Sequence, residues 1–177
     1  MLNHARPYQF YSNAYSLIEL VISIALSSIV IVVFYSFFSN AQKQSSDSVL
    51  HFKAAELAQT YLEEINLKSY DDFSPTGNAI RCDSLPSLPC SIILGPEVSE
   101  LRTNYDDVDD FNNLSEQPPV DANGNTRQGY SSYQVSIQVS YAGVDFALPS
   151  TSLKKIQVTI IAPQGEVFVF SQYKGNF

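Results

Sequence analysis

Apolar positions fall into three regimes along the chain. From Tyr15 to Phe38 they are almost continuous, YSLIELVISIALSSIVIVVFYSFF, with serines between them and one formal charge at Glu19. At about 1.5 Å per residue a helix of this length spans roughly 36 Å, enough to cross a hydrocarbon core ~30 Å thick. From Ala41 the pattern turns amphipathic. Leu50, Ala54, Leu57, Ala58, Tyr61, Leu62 and Ile65 recur at helical spacing while Lys53, Glu56, Glu63 and Glu64 take the other face. The spacing predicts a helix that continues to Lys68, with Glu64 and Lys68 four apart in the favourable order. The last regime is strand-like. Tyr133, Val135, Ile137, Val139 and Tyr141 alternate with Gln134, Ser136, Gln138 and Ser140. Leu153–Ala162 and Val167–Tyr173 follow, joined by Pro163-Gln164-Gly165, and Ser91–Leu94 reads as a further short strand.

Glycine and proline mark the same division. All seven glycines lie at Gly77 or later, and from Ala14 to Ser74 there is neither Gly nor Pro. These residues end helices most strongly, so residues 15–68 read as one long helix and the remainder as strands and turns. The expected fold class is α+β: a helix with a membrane-spanning half (15–38) and an amphipathic half, the latter packed on a C-terminal antiparallel sheet. The domain reading is 1–14 a polar leader, 15–68 helix, 69–129 a Pro-, Asn-, Asp- and Ser-rich connecting region, and 130–177 an antiparallel meander.

Of the net charge of −8, residues 70–177 carry −7, with 13 acidic and 6 basic side chains. Such a head argues against nucleic acid as a partner, since phosphate binding needs Lys and Arg to displace counterions. Two histidines, His4 and His51, and two cysteines, Cys82 and Cys90, are too few for an ordinary zinc site. The glycines are scattered singly and form no phosphate loop. No cofactor is expected. One cluster invites a hard cation: Asp106, Asp107, Asp109 and Asp110 put four carboxylates in five residues, and calcium takes six to eight oxygens. The competing reading is a solvated acidic loop or a capping turn held by backbone hydrogen bonds. Asp121, Asn123 and Asn125 form a second, weaker oxygen-rich segment whose spacing misses that of an EF-hand. His51 reads as a surface or interface residue, and Tyr133 and Tyr141 as sheet packing.

A polar leader, a small residue, an aromatic and then S-L-I-E-L opening an apolar helix, here Ala14, Tyr15, Ser16, Leu17, Ile18, Glu19 and Leu20, resembles the type IV prepilin signature. The family form has Gly before Phe-Thr-Leu-Ile-Glu-Leu, so Ala14 stands where the family has glycine. The resemblance implies cleavage by a prepilin peptidase between Ala14 and Tyr15, followed by methylation of the new N-terminus at Tyr15. It implies that Glu19 guides the subunit into a filament by pairing with a neighbour's N-terminal amine. It also implies major and other minor pilins and the inner-membrane assembly platform as partners. Leu57–Asn66, Arg81-Cys82-Asp83, Tyr105–Phe111 and Ser171–Phe177 further resemble minor pilins of the mannose-sensitive haemagglutinin (MSHA) type IV pilus. This implies a non-enzymatic subunit, held by the inner membrane with its head in the periplasm and then carried into the pilus, that initiates or caps assembly and supports surface attachment. Translocation into an oxidising compartment predicts a Cys82–Cys90 disulfide, with two separate buried thiols as the alternative. Other readings stay open: a type II secretion minor pseudopilin, a tip adhesin, a secretory signal cleaved at Ala41, a single-pass anchor carrying a binding domain, and an enzyme with a carboxylate-only or metal-assisted site.

Overall fold

The structure, a computed structural model, describes residues 16–74, 81–84 and 89–176, without the side chains of 40–47. The chain divides into two compact units, Met1–Asp47 and Ser48–Phe177. One helix, α1, runs from Leu17 to Asn66.

In the first unit, Leu17–Ser39 is long and apolar enough to cross a membrane, and none of it is buried. Leu17, Ile24, Val30, Phe34 and Phe37 are each more than half exposed, so apolar surface faces outward on every side of the helix. Four of its serines are satisfied by the helix itself. Ser23 Oγ donates to Glu19 O, Ser27 to Ser23 O, Ser28 to Ala25 O and Ser36 to Val32 O, at 2.7–3.0 Å. Hydroxyls satisfied by the helix's own carbonyls, beside a backbone satisfied within the helix, are what a hydrocarbon environment requires.

The second unit is an α+β head. Its sheet has four strands in the order β1 (Ser115–Glu116), β2 (Gln134–Tyr141), β3 (Leu153–Ile161) and β4 (Val167–Gly175), each antiparallel to the next. The period of two fixes which face is dry. Val135, Ile137 and Val139 stand opposite Ile160, Val158 and Ile156, which in turn stand opposite Phe168, Phe170 and Gln172. Against this face pack Ala54, Leu57, Ala58, Tyr61 and Ile65 of α1, all at most 1 % exposed, with Leu50 and Leu62 at the margin. The two alanines allow close approach of helix and sheet, and Tyr61 fills the space beside them. Its hydroxyl, which apolar surroundings would strand, bonds Glu116 Oε2 and the Val120 backbone.

The three long strands lie within about two residues of their predicted bounds. The fourth strand is not where the sequence pattern placed it. Ser91–Leu94 is irregular, with Ile92 and Ile93 both turned outward, while Leu94 alone packs against the core and its carbonyl accepts a bond from Asn112 Nδ2 at 2.8 Å. Without alternation there is no apolar face to place on a sheet. The added strand comes instead from the connecting region, at Ser115–Glu116.

The helix also ends two residues before Lys68, for a tertiary reason. Ser69 joins Asp107 in an isolated parallel bridge, Ser69 N–H donating to Asp106 O and Val108 N–H to Ser69 O. The last turn has no basic residue of its own. Lys174 of β4 supplies the charge, its Nζ donating to Asn66 O at 3.0 Å and also to Lys68 O. The expected Glu64–Lys68 pair is absent for the same reason. Glu64 holds Arg102 at 2.6 Å and Arg127 at 3.4 Å, while Lys68 donates to Tyr105 O.

Two glycines are demanded by geometry. Gly165 turns the β3–β4 hairpin at φ +84°, a conformation that costs other residues steric strain. Gly143, just after β2, leaves no room for a side chain: a Cβ there would sit 1.9 Å from Pro149 O.

Candidate functional site

Several places among the described residues concentrate chemistry. The first is the start of α1. Ala14 and Tyr15, the residues of the expected cleavage and methylation, lie outside the described residues, as does the leader. Glu19 sits in the first turn of α1, where a carboxylate is favoured by the helix dipole.

The second is a disulfide knot. Cys82 and Cys90 are bonded, with their Cα atoms 4.8 Å apart, and both are buried against Tyr70 and Tyr141. Two of the surrounding bonds are local and one comes from the far end of the chain. Cys82 N–H donates to Ser74 Oγ (2.6 Å), Cys90 N–H to Asp83 Oδ1 (3.0 Å), and Asn176 Nδ2 to Cys82 O (3.1 Å). The bridge therefore anchors the segment after α1 to the end of β4. Closing a nine-residue loop is worth about 2.5 kcal/mol in the chain-entropy model. The Cys82→Ser/Cys90→Ser variant should lose about that much in urea unfolding, and reducing the native protein should lower its midpoint equally.

The third is the acidic run, and it divides by role. Asp107 Oδ1 accepts the N–H groups of Asp109 and Asp110, and Asp110 Oδ2 accepts those of Asp106 and Asp107. These reciprocal caps make a tight turn, the arrangement short acidic side chains often form with their own backbone. Asp109 turns away to pair with Lys154 of β3, while Asp106 remains exposed. The four aspartates thus do not converge on one point. The weaker segment behaves similarly: Asp121 Oδ1 accepts the N–H groups of Asn123 and Asn125, both at 2.9 Å.

Lys154 is the buried cation that meets Asp109. It is fully buried at a core-facing position of β3, in phase with Ile156, Val158 and Ile160. Its Nζ donates to Tyr70 O at 2.5 Å and to Asp71 Oδ2 at 3.3 Å, pairs with Asp109, and lies 4.3 Å from the centre of the Tyr70 ring. Asp71 is equally buried and also accepts the N–H groups of Phe73 and Ser91. Alternation alone assigns Lys154 to the dry face, and that phase was the available signal. Burial pushes Asp109 up to about 6 although Lys154 pulls it down, and pushes Asp107 up to about 8 with Asp109 and Asp110 adding to it.

Beside the turn lies a convergence of carboxylates from separate segments. One oxygen each of Glu97, Glu100 and Asp110 lies within 4.8 Å of the other two, and Asp72 reaches Glu97. All the shifts run in one direction. Asp72 is raised to about 6 by burial and then Glu97, Glu97 is raised by Glu100, and Glu100 is raised by burial. The other such group among the described residues, Asp71 with Cys82 and Cys90, has its sulfurs in the disulfide. Elsewhere His51 is exposed, 3.7 Å from Glu166 and edge-on to Phe168, while Tyr133 packs in the core and Tyr141 donates to Ser91 O.

Comparison of the chain with known proteins finds no matching family model, no matching curated protein and no matching solved structure.

Proposed function

We propose that this protein is a minor pilin of an MSHA-like type IV pilus. In this reading a prepilin peptidase cuts the precursor between Ala14 and Tyr15 and methylates Tyr15. The subunit waits in the inner membrane as a single-pass protein with its head in the periplasm. It then packs through its apolar helix with other pilins on the assembly platform, where it initiates or caps the filament and supports attachment. The observation that carries the reading is an apolar helix exposed on all sides, whose one formal charge, Glu19, stands in its first turn. The motif from Ala14 to Leu20 and the α+β head following the helix support it further.

Glu19 has a physical task in this reading. A carboxylate in hydrocarbon costs a few kcal/mol unless it is paired. A neighbouring subunit's N-terminal amine, offset by about one helical turn, is a cation of the right charge at the right depth. The chain transfers from lipid to a filament core, and the pairing favours that direction.

Co-expression with a prepilin peptidase tests the processing. Intact mass should fall by the fourteen leader residues and rise by one methyl group, and N-terminal sequencing should find Tyr15 blocked by methylation. A mature start at Gln42, or retention of Met1, would overturn the proposal. Glu19→Ala should insert and fold normally, while its share in sheared pili drops roughly tenfold or more, as loss of a pair worth over 1.4 kcal/mol requires. Undiminished recovery of that variant in pili would remove the pairing mechanism.

A further inference from the structure

The carboxylates of Glu97, Glu100 and Asp110 present an arrangement that their own chemistry does not balance. Asp110 is fully buried; its Oδ2 takes two backbone N–H groups, and its Oδ1 has no hydrogen-bond partner. That buried carboxylate faces Glu100, and the mutual spacing of 4.8 Å or less holds for all three side chains. Glu100 and Asp110 both raise Glu97, while a hydrogen bond with Asp72 lowers it. An orphaned buried oxygen is costly, and like charges held together raise that cost.

We propose that Glu97, Glu100 and Asp110, with Asp72 at the rim, bind one calcium ion. The donor set is oxygen only, which selects a hard cation. Ligands of one calcium sit about 2.3–2.6 Å from it, so two of them stand at most about 5 Å apart, and the observed spacing meets that limit. The donors come from a surface turn (Glu97 and Glu100) and a buried capping turn (Asp110), leaving one side open for water and carbonyl ligands. This irregular, partly open geometry suits calcium, whereas magnesium demands a near-ideal octahedron. The ion would tie residues 97–100 to the turn at 106–110. The site stands independently of the pilin reading.

The full chain in detergent micelles, stripped with EDTA and dialysed free of chelator, is titrated with calcium chloride by calorimetry and melted with and without 10 mM calcium. We expect one ion per chain, with a dissociation constant of about 10⁻⁴–10⁻³ M as in extracellular modules, and a melting temperature raised by about 4–8 °C. The variant Glu97→Gln/Glu100→Gln should lose this response, binding at least tenfold more weakly (by ~1.4 kcal/mol), while melting no lower than the stripped wild type. Should the double variant fail to fold, Glu97→Gln alone must weaken calcium binding. Absence of saturable binding to the wild type, an unchanged affinity in a folded variant, or an equal rise in sodium chloride of matched ionic strength would overturn the proposal. Magnesium binding as tightly would overturn the assignment to calcium.

Discussion

Lys154→Ala should lower the stability of the head by about 3–5 kcal/mol, the range seen when one partner of a buried ion pair is removed. The loss is not simply that of a contact. Lys154 is the cation set between Asp71 and Asp109, both buried, and it also bonds the Tyr70 carbonyl. Its removal leaves two carboxylates in a dry site and a cavity beside the Tyr70 and Tyr141 rings. Urea unfolding followed by the tyrosine near-ultraviolet signal measures the loss. A second variant separates charge from packing. Lys154→Met with Asp71→Asn and Asp109→Asn keeps the volume and removes all three charges, so it should recover more than half of the deficit. If Lys154→Ala costs less than about 1 kcal/mol, the pair lies open to water and the account given for it is wrong.

Stability should also fall as pH rises from about 5 to 8, by on the order of 3 kcal/mol in the presence of EDTA. The sign follows from the carboxylates of the turn. Asp107 is raised from 3.8 to about 8 and Asp109 to about 6 in the folded head. A carboxyl group with a raised folded-state value binds more protons folded than unfolded. Its stabilisation is therefore complete below about pH 4 and is lost as pH climbs through 6 and then 8. The groups facing this region are Asp110 and Asp71 from the connecting region, Lys154 from β3 and Lys174 from β4. Lys174 acts in a different window: burial and then Lys154 lower it to about 8, so its contribution grows only between pH 8 and about 10.5. Thermal melts at pH 5, 6.5 and 8 in matched ionic strength check the trend, and a flat or rising profile would show that Asp107 is ionised in the folded state.

The run Asp106–Asp110 looked like a ligand set because four carboxylates stand within five positions. In the head two of them cap a turn and one meets a lysine, and only Asp110 joins other carboxylates. Lys154 falls on the dry face by the alternation through Ile156 and Val158, but its anionic partners Asp71 and Asp109 lie far away in the chain. Nothing near Glu97 and Glu100 in the chain indicates that Asp72 and Asp110 are their neighbours in space.

Local pattern was enough to reveal the division into an apolar helical segment and an α+β head, the three long strands, the hairpin at Gly165 and the helix face built from Ala54, Leu57, Ala58, Tyr61 and Ile65. The disulfide expected between Cys82 and Cys90 is formed. Those features repeat with a period of 3.6 or 2, or depend on two residues alone, so local chemistry is enough to reveal them. The end of α1, the strand at Ser115–Glu116, the partners of Lys154 and the convergence of Glu97, Glu100 and Asp110 emerge from long-range packing instead. All four arise in or against the irregular region 69–129, where no periodicity constrains the chain. There each buried backbone group and charge takes whichever partner packing brings within reach, and that partner is often distant in sequence.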